Sequence, residues 1–176
     1  MMNTKILLVI GAAAFATVPA TASAQSAGEP EVYVGASAGY HDLSIGGGVE
    51  DDGAIFGGIA GVDFPIGGDL SIGGEVNYHV GTGAIDSEYG AAARLAYSVN
   101  PNTKVYVRGG YQEVELDLEE IVGAPVPALL DDSDGDFIVG AGTEFGVGSS
   151  GLKLRLGVDT VSFDTTRATA GLLFSF

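Results

Sequence analysis

The sequence predicts an all-β chain, an eight-stranded antiparallel transmembrane β-barrel of up-and-down topology. Three observations carry that expectation. The chain ends on an aromatic residue inside a strand, Thr169-Ala-Gly171-Leu-Leu-Phe174-Ser-Phe176, with no polar tail to fray into water. It begins with an export-type leader. Between the two, eight segments alternate apolar and polar side chains over about the ~9–11 residues that a tilted strand needs to cross a bilayer. A strand that closes a barrel in lipid has a reason to stop so abruptly, because every backbone group must be paired there.

The leader comes first in chain order. Met1 to Lys5 is a short basic start, Ile6 to Val18 an apolar run, and Ala22-Ser23-Ala24 the small residues that precede cleavage before Gln25. The apolar run falls short of the ~20 residues of a membrane-spanning helix. A secretory signal over residues 1–24 and a barrel domain over 25–176 are therefore expected. No cysteine follows the cleavage point, or occurs anywhere else, so a lipid anchor, a disulfide scaffold and a thiolate metal site are all excluded.

The eight segments are Glu31–Leu43, Ala54–Phe64, Leu70–Val80, Ser87–Val99, Thr103–Leu116, Asp136–Val147, Leu152–Val161 and Thr166–Phe176. The fourth sets Tyr89, Leu95, Tyr97 and Val99 against Glu88, Gly90, Arg94 and Ser98. The sixth sets Phe137, Val139, Ala141, Phe145 and Val147 against Asp136, Ile138, Gly140, Gly142, Glu144 and Gly146. The seventh sets Leu152, Leu154, Leu156 and Val158 against Lys153, Arg155, Gly157 and Asp159. Charge and glycine share one face throughout. Pro65-Ile-Gly-Gly-Asp69, Asn100-Pro-Asn102 and Gly148-Ser-Ser-Gly151 read as tight turns. The remaining connections are longer and acidic, the usual asymmetry of bacterial barrels, with short turns on the periplasmic side and long loops outside. A soluble barrel would share this alternation with its faces exchanged. The terminal Phe176 and the aromatic residues near strand ends (Tyr40, Phe56, Phe64, Tyr78, Tyr97, Tyr111, Phe145) favour the membrane form, because aromatics collect at bilayer interfaces.

Charge narrows the function. Setting Lys5 aside, 6 of the 7 basic residues remain against 23 acidic ones. Nucleic acid is excluded as a partner, since phosphate contacts need clustered Lys and Arg. Mean hydropathy is nonetheless positive, which fits apolar residues that face lipid and charges that face water.

An eight-stranded barrel is just wide enough for side chains to fill, and the glycines at 35, 39, 57, 61, 73, 90, 140 and 142 leave room for long ones. Counting outward from the turns places Glu144 opposite Arg155 and Arg94 opposite Arg108, with Glu75 beside Arg94 and Glu144 beside Arg108. The expectation is an interior charge ladder Glu75–Arg94–Arg108–Glu144–Arg155. Buried charges must be paired or they cost several kcal/mol each, so the ladder reads first as structure and second as a gate for water or ions.

The segments Tyr33-Val-Gly-Ala-Ser-Ala-Gly39-Tyr40, Gly61-Val-Asp-Phe64, Ala93-Arg94-Leu-Ala-Tyr97 and Val107-Arg-Gly-Gly-Tyr111, with the C-terminal strand, resemble the small outer-membrane β-barrel family that includes the OmpA-like transmembrane domain and the opacity-type porin-family proteins. Thr169, Gly171, Phe174 and Phe176 match the C-terminal signal that the barrel-assembly machinery reads in such proteins. The resemblance implies the bacterial outer membrane as location, reached through the periplasm. It also implies outer-membrane lipid and that machinery as partners. The family spans adhesins, structural proteins and small channels. The expected function is a non-enzymatic structural or surface-interaction role through acidic extracellular loops; the alternative is a narrow porin-like channel for water, ions or small solutes.

The acidic residues concentrate at Asp42, Glu50 to Asp52, Asp86 and Glu88, Glu113 to Glu120, and Asp131 to Asp136. They read as a solvated face or as bridges, through divalent cations, to anionic outer-leaflet lipid, since hard cations favour carboxylate oxygens. Asp131-Asp-Ser-Asp134-Gly135-Asp136 lacks the spacing and distal Glu of a calcium-binding EF-hand loop. Between two acidic runs lies the apolar stretch Ile121-Val122-Gly-Ala-Pro125-Val126-Pro127-Ala-Leu129-Leu130, a candidate contact surface. His79 with Glu88 and Ser87 can be drawn as a triad, but no nucleophile motif surrounds them and a satisfied polar pair explains them better. No cofactor is expected.

Overall fold

Alternation between side chains that need water and side chains that avoid it produces eight antiparallel strands. A computed structural model describes residues 28–42, 52–83, 85–116 and 133–176. The strands are β1 (Glu31–Asp42), β2 (Asp52–Gly67), β3 (Leu70–Gly81), β4 (Ile85–Asn100), β5 (Thr103–Leu116), β6 (Ser133–Gly146), β7 (Leu152–Val161) and β8 (Thr165–Ser175). Each pairs with the next, and β8 pairs with β1, so the sheet closes and no edge remains. The expected leader and the candidate loop residues Ile121, Val122, Val126, Leu129 and Leu130 lie outside the described residues.

The register fixes the tilt. From Ser37 it leads through Gly57, His79 and Glu88 to Val114 in one direction. In the other it leads through Gly171, Arg155 and Glu144 to Lys104. Those two end points lie ten residues apart on β5, a stagger that only strongly tilted strands can close. Tilt lets side chains far apart in register meet across the lumen.

The faces divide as the pattern requires. Tyr40, Phe56, Phe64, Tyr78, Tyr97, Tyr111 and Phe145 are exposed on the outside, together with Leu95, Val107, Leu156, Val158 and Leu172. Arg94, Arg108, Arg155, Arg167, Glu75, Glu88 and Glu144 are buried within. The barrel is thus apolar outside and charged inside, the reverse of a soluble protein.

β2, β4 and β6 begin two to three residues earlier than the segments read from sequence, and one expected turn is partly taken up by a strand. The stretch Pro65 to Asp69 reads as a turn in sequence, yet β2 continues to Gly67, with a register shift between Pro65 and Gly67. Proline is tolerated at such an irregular strand end because the ladder there no longer needs its missing N–H. The reversal itself falls at Gly67 and Gly68, both with positive φ.

The seam matters most for closure. Val32 and Phe176 exchange two backbone hydrogen bonds, of 3.2 and 3.0 Å, so the last residue of the chain completes the β1–β8 ladder. Thr169 and Gly171 face the lumen, Gly171 against Ser37, while Phe174 and Phe176 pack ring to ring at 6.0 Å. At the opposite end, Ser162 and Phe163 in the β7–β8 turn both have positive φ without being glycine. That strained reversal is held by Ser162 donating its hydroxyl to Asp136 Oδ2 (2.6 Å) and by the Phe163 ring against Phe137 at 5.1 Å.

Candidate functional site

The lumen holds every basic residue beyond Lys5. At the end carrying the tight turns and both ends of the described chain, a vestibule of about 560 Å³ opens between Asn100, Asn102, Ser149, Lys104 and Lys153. Glu31 caps it: Lys104 Nζ lies 3.1 Å from Glu31 Oε2, and Lys153 pairs with the other oxygen. Lys104 also lies 3.4 Å from Asp63 Oδ2.

Above the vestibule, four side chains stack across the barrel. The Arg94 guanidinium lies 5.2 Å from the Tyr33 ring and 4.5 Å from the Tyr106 ring; that of Arg155 lies 4.9 and 5.1 Å from the same rings. Glycine makes this layer fit. A Cβ on Gly61 would overlap the Tyr33 hydroxyl, and one on Gly142 would crowd that of Tyr106. Arg94 donates to Glu144 Oε1 at 2.9 Å, and Arg155 donates to the same oxygen through Nε (3.0 Å) and Nη2 (2.6 Å). Tyr33 donates its hydroxyl to Glu75 Oε2 at 2.7 Å. Arg94 Nε and Asp63 Oδ1 form an ion pair at 3.1 Å without hydrogen-bond geometry.

Higher still, Arg108 grips Asp159 in a two-pronged pair of 2.7 and 2.6 Å and also reaches Glu75. Arg167 joins Asp159 (3.2 Å) to Glu88. Glu88 meets His41 Nδ1 at 2.9 Å and His79 Nδ1 at 3.5 Å. His79 Nε2 lies 2.7 Å from Ser37 Oγ, and His41 Nε2 lies 3.0 Å from Thr165 Oγ1. Buried Ile55, Ile85, Val114, Ile138 and Val161 occupy the loop-side end of the strands.

All five residues of the expected ladder lie in this lumen, but their order differs. Arg94 stands opposite Arg108, and Glu144 opposite Arg155. Glu144 does not lie beside Arg108: Arg108 stands opposite Gly140, and Glu144 opposite Lys104. Arg108 turns instead to Glu75 and Asp159, and Arg94 reaches across the lumen to Glu144. The two opposed arginines so avoid one another by pointing to different carboxylates. Sequence reasoning left out Glu31, Asp63, Glu88, Asp159, Arg167 and both tyrosines from the network. Parity along each strand would have found them, because each falls on the inward-facing alternate positions of its own strand.

The triad drawn from Ser87 does not form. Ser87 donates to Glu115 Oε2 at 2.8 Å, and Ser37 takes its place at His79. Ser37 borders a cavity of only about 10 Å³, room for about one water molecule and none for a substrate. Among the described residues no group of three or more His, Asp or Glu is arranged to hold a metal ion.

A family model described as an outer membrane protein β-barrel domain matches residues 10–176. In fold the chain is similar to Ail of Yersinia pestis in complex with the heparin analogue sucrose octasulfate, with 13% identity, TM-score 0.55, and 84% of this chain and 97% of that chain covered. It is also similar to Neisserial surface protein A, with 17% identity, TM-score 0.53 and coverage of 84% and 97%. The N-terminal β-barrel domain of Pseudomonas aeruginosa OprF gives 12% identity, TM-score 0.53 and coverage of 83% and 97%. At these identities the likeness is one of fold. No curated protein matches the chain in sequence.

Proposed function

The chain belongs to the outer membrane protein β-barrel domain family, and from that premise we propose that it serves at the cell surface as a non-enzymatic barrel whose acidic outer loops make its contacts. Its location is the bacterial outer membrane. The observation that carries the proposal is the division of charge. Arg94, Lys104, Arg108, Lys153, Arg155 and Arg167 are paired in the lumen with Glu31, Asp63, Glu75, Glu88, Glu144 and Asp159. No Lys or Arg occurs in the connections between β1 and β2, β3 and β4, β5 and β6, or β7 and β8, whereas acidic residues occur in all of them but that between β3 and β4. A face with one sign of charge attracts cations and repels anions. Divalent cations that bridge these carboxylates to anionic lipid, or a basic partner surface, suit it. A sulfated ligand of the kind bound by Ail does not.

The test is adhesion of cells displaying the full chain to a polycationic and to a heparin-coated surface, with and without chelator. Attachment to the polycation, none to heparin, and reduced attachment on deleting residues 121–130 are expected. Full adhesion by the deletion variant removes the apolar stretch from the contact, and attachment to heparin overturns the charge argument. The stacked Tyr33, Arg94, Arg155 and Tyr106 layer lies across the lumen above the vestibule and speaks against the channel alternative. Planar bilayers should show no steady conductance for the native protein. If the Arg–Glu pairs act as a gate, Glu144→Gln opens discrete steps; an unchanged trace counts against gating.

A further inference from the structure

Glu113 shares the outer face of β5 with Tyr111 and stands one outward position beyond it, about 7 Å further along the strand. Tyr111 belongs to the outer aromatic ring, and such rings collect at the level of the lipid headgroups. The Glu113 carboxylate therefore lies in the headgroup layer. Opposite it on β4 stands Tyr89, which stacks on Tyr78 with ring centroids 6.4 Å apart. Opposite it on β6 stands Gly135. A Cβ on Gly135 would collide with both the Tyr111 hydroxyl and Glu113 Oε2, so those two groups share the space that the missing side chain leaves. Glu113 is half-buried, and among the described residues it has no hydrogen-bond or ion-pair partner. Glu115, next on the same face, differs: it accepts from the Ser87 hydroxyl at 2.8 Å.

A partly desolvated carboxylate gains from a cation that meets it. This chain supplies none, because every Lys and Arg beyond Lys5 is committed to the lumen. A divalent metal ion takes about six to eight oxygens, and one carboxylate with one phenol falls far short. An ammonium group suits the place better. It can donate to the Glu113 carboxylate and to the Tyr111 hydroxyl oxygen while the Tyr89 ring stands beside it. We infer that Glu113, Tyr89 and Tyr111 form a binding site for the ammonium group of a lipid headgroup. Gly135 keeps the site open, since any side chain there would occupy it. The site faces sideways from the strands into the membrane rim and needs none of the loop contacts proposed above.

The experiment uses the full mature barrel folded in octyl glucoside micelles, whose headgroup is uncharged, and follows backbone amide resonances during titration with dihexanoylphosphatidylethanolamine. Saturable shifts centred on Tyr89, Glu113 and Gly135 are expected. Dihexanoylphosphatidylglycerol, with the same tails and no amine, should produce none there. Glu113→Gln should weaken binding about tenfold through loss of the charge-assisted hydrogen bond, and Tyr89→Leu about threefold through loss of an exposed cation–π contact. Asp164→Asn, exposed on the β7–β8 turn, should leave binding unchanged. No shift at the three residues, equal shifts with the phosphatidylglycerol, or equal effects of Glu113→Gln and Asp164→Asn overturn the site. Shifts at the same residues with tetralysine but not with the phosphatidylethanolamine overturn the lipid as the source of the ammonium. The comparison of the two lipids on the native chain decides the matter even where a substituted chain fails to fold.

Discussion

Glu75 accepts from Tyr33 and pairs with Arg108 and Arg155, so one carboxylate joins three side chains from three strands. Removing one partner of a buried pair costs on the order of 3–5 kcal/mol because the other charges remain. Glu75→Gln should lower the free energy of unfolding in micelles by that order, read from denaturant titration, while Asp164→Asn, on the exposed β7–β8 turn, should leave it unchanged. Asp136 supplies a different test, beyond the outer aromatic ring. The Ser162 hydroxyl and the Phe137 N–H hold its carboxyl below the ordinary value of 3.8. A carboxylate lowered in the folded state stabilises above its unfolded value and loses that contribution as pH falls through the folded one. Order in the β7–β8 turn should therefore persist at pH 5 and decline below pH 3.8, read as faster amide exchange at Ser162. At this scale sequence was a partial guide. Parity told which residues face inward, but not which carboxylate each arginine chooses, because the tilt brings Arg94 to Glu144, four residues along β6 from the Gly140 that the register places level with it. Tyr33 and Tyr106 escaped notice since aromatic residues in a membrane barrel read first as interface residues. The glycines at 61 and 142, which make space for them, were visible as inward glycine without an occupant.

Among elements, β8 bears the greatest weight. Its alternation was legible throughout, as was the tight reversal at Asn100 to Asn102, where the Asn102 amide donates to Asn100 Oδ1 at 2.9 Å. The end of β2 was not legible, since a Pro-Ile-Gly-Gly stretch satisfies turn chemistry and an irregular strand end equally well. Only the partner strand decides, and β3 begins at Leu70. Because Phe176 completes the ladder with Val32 and packs against Phe174, truncating its side chain should weaken the seam and, on the proposal that Thr169, Gly171, Phe174 and Phe176 form an assembly signal, that signal too. Phe176→Ala is expected to reduce the heat-modifiable, folded fraction in outer-membrane preparations several-fold. The same fraction after Phe163→Ala, at the far end of the neighbouring turn, should stay near the native value.

For the whole molecule, the alternation of side chains sufficed to predict a closed eight-stranded barrel, because a two-residue period with charge and glycine on one face admits few other folds. Surface function was far less legible, since it rests on loops whose partner leaves no pattern in strand periodicity. Net charge alone, however, conceals how the charges are divided. Folding withdraws six cations and six anions from solvent together, so the folded and unfolded chains share one net charge but present different surfaces. The practical outcome is chromatographic: the native barrel, whose four arginines are buried and whose two lysines are mostly withdrawn into the vestibule, should elute from an anion exchanger at higher salt than its own denatured form. Resin retention thereby becomes a direct assay for how completely a refolding reaction has gone.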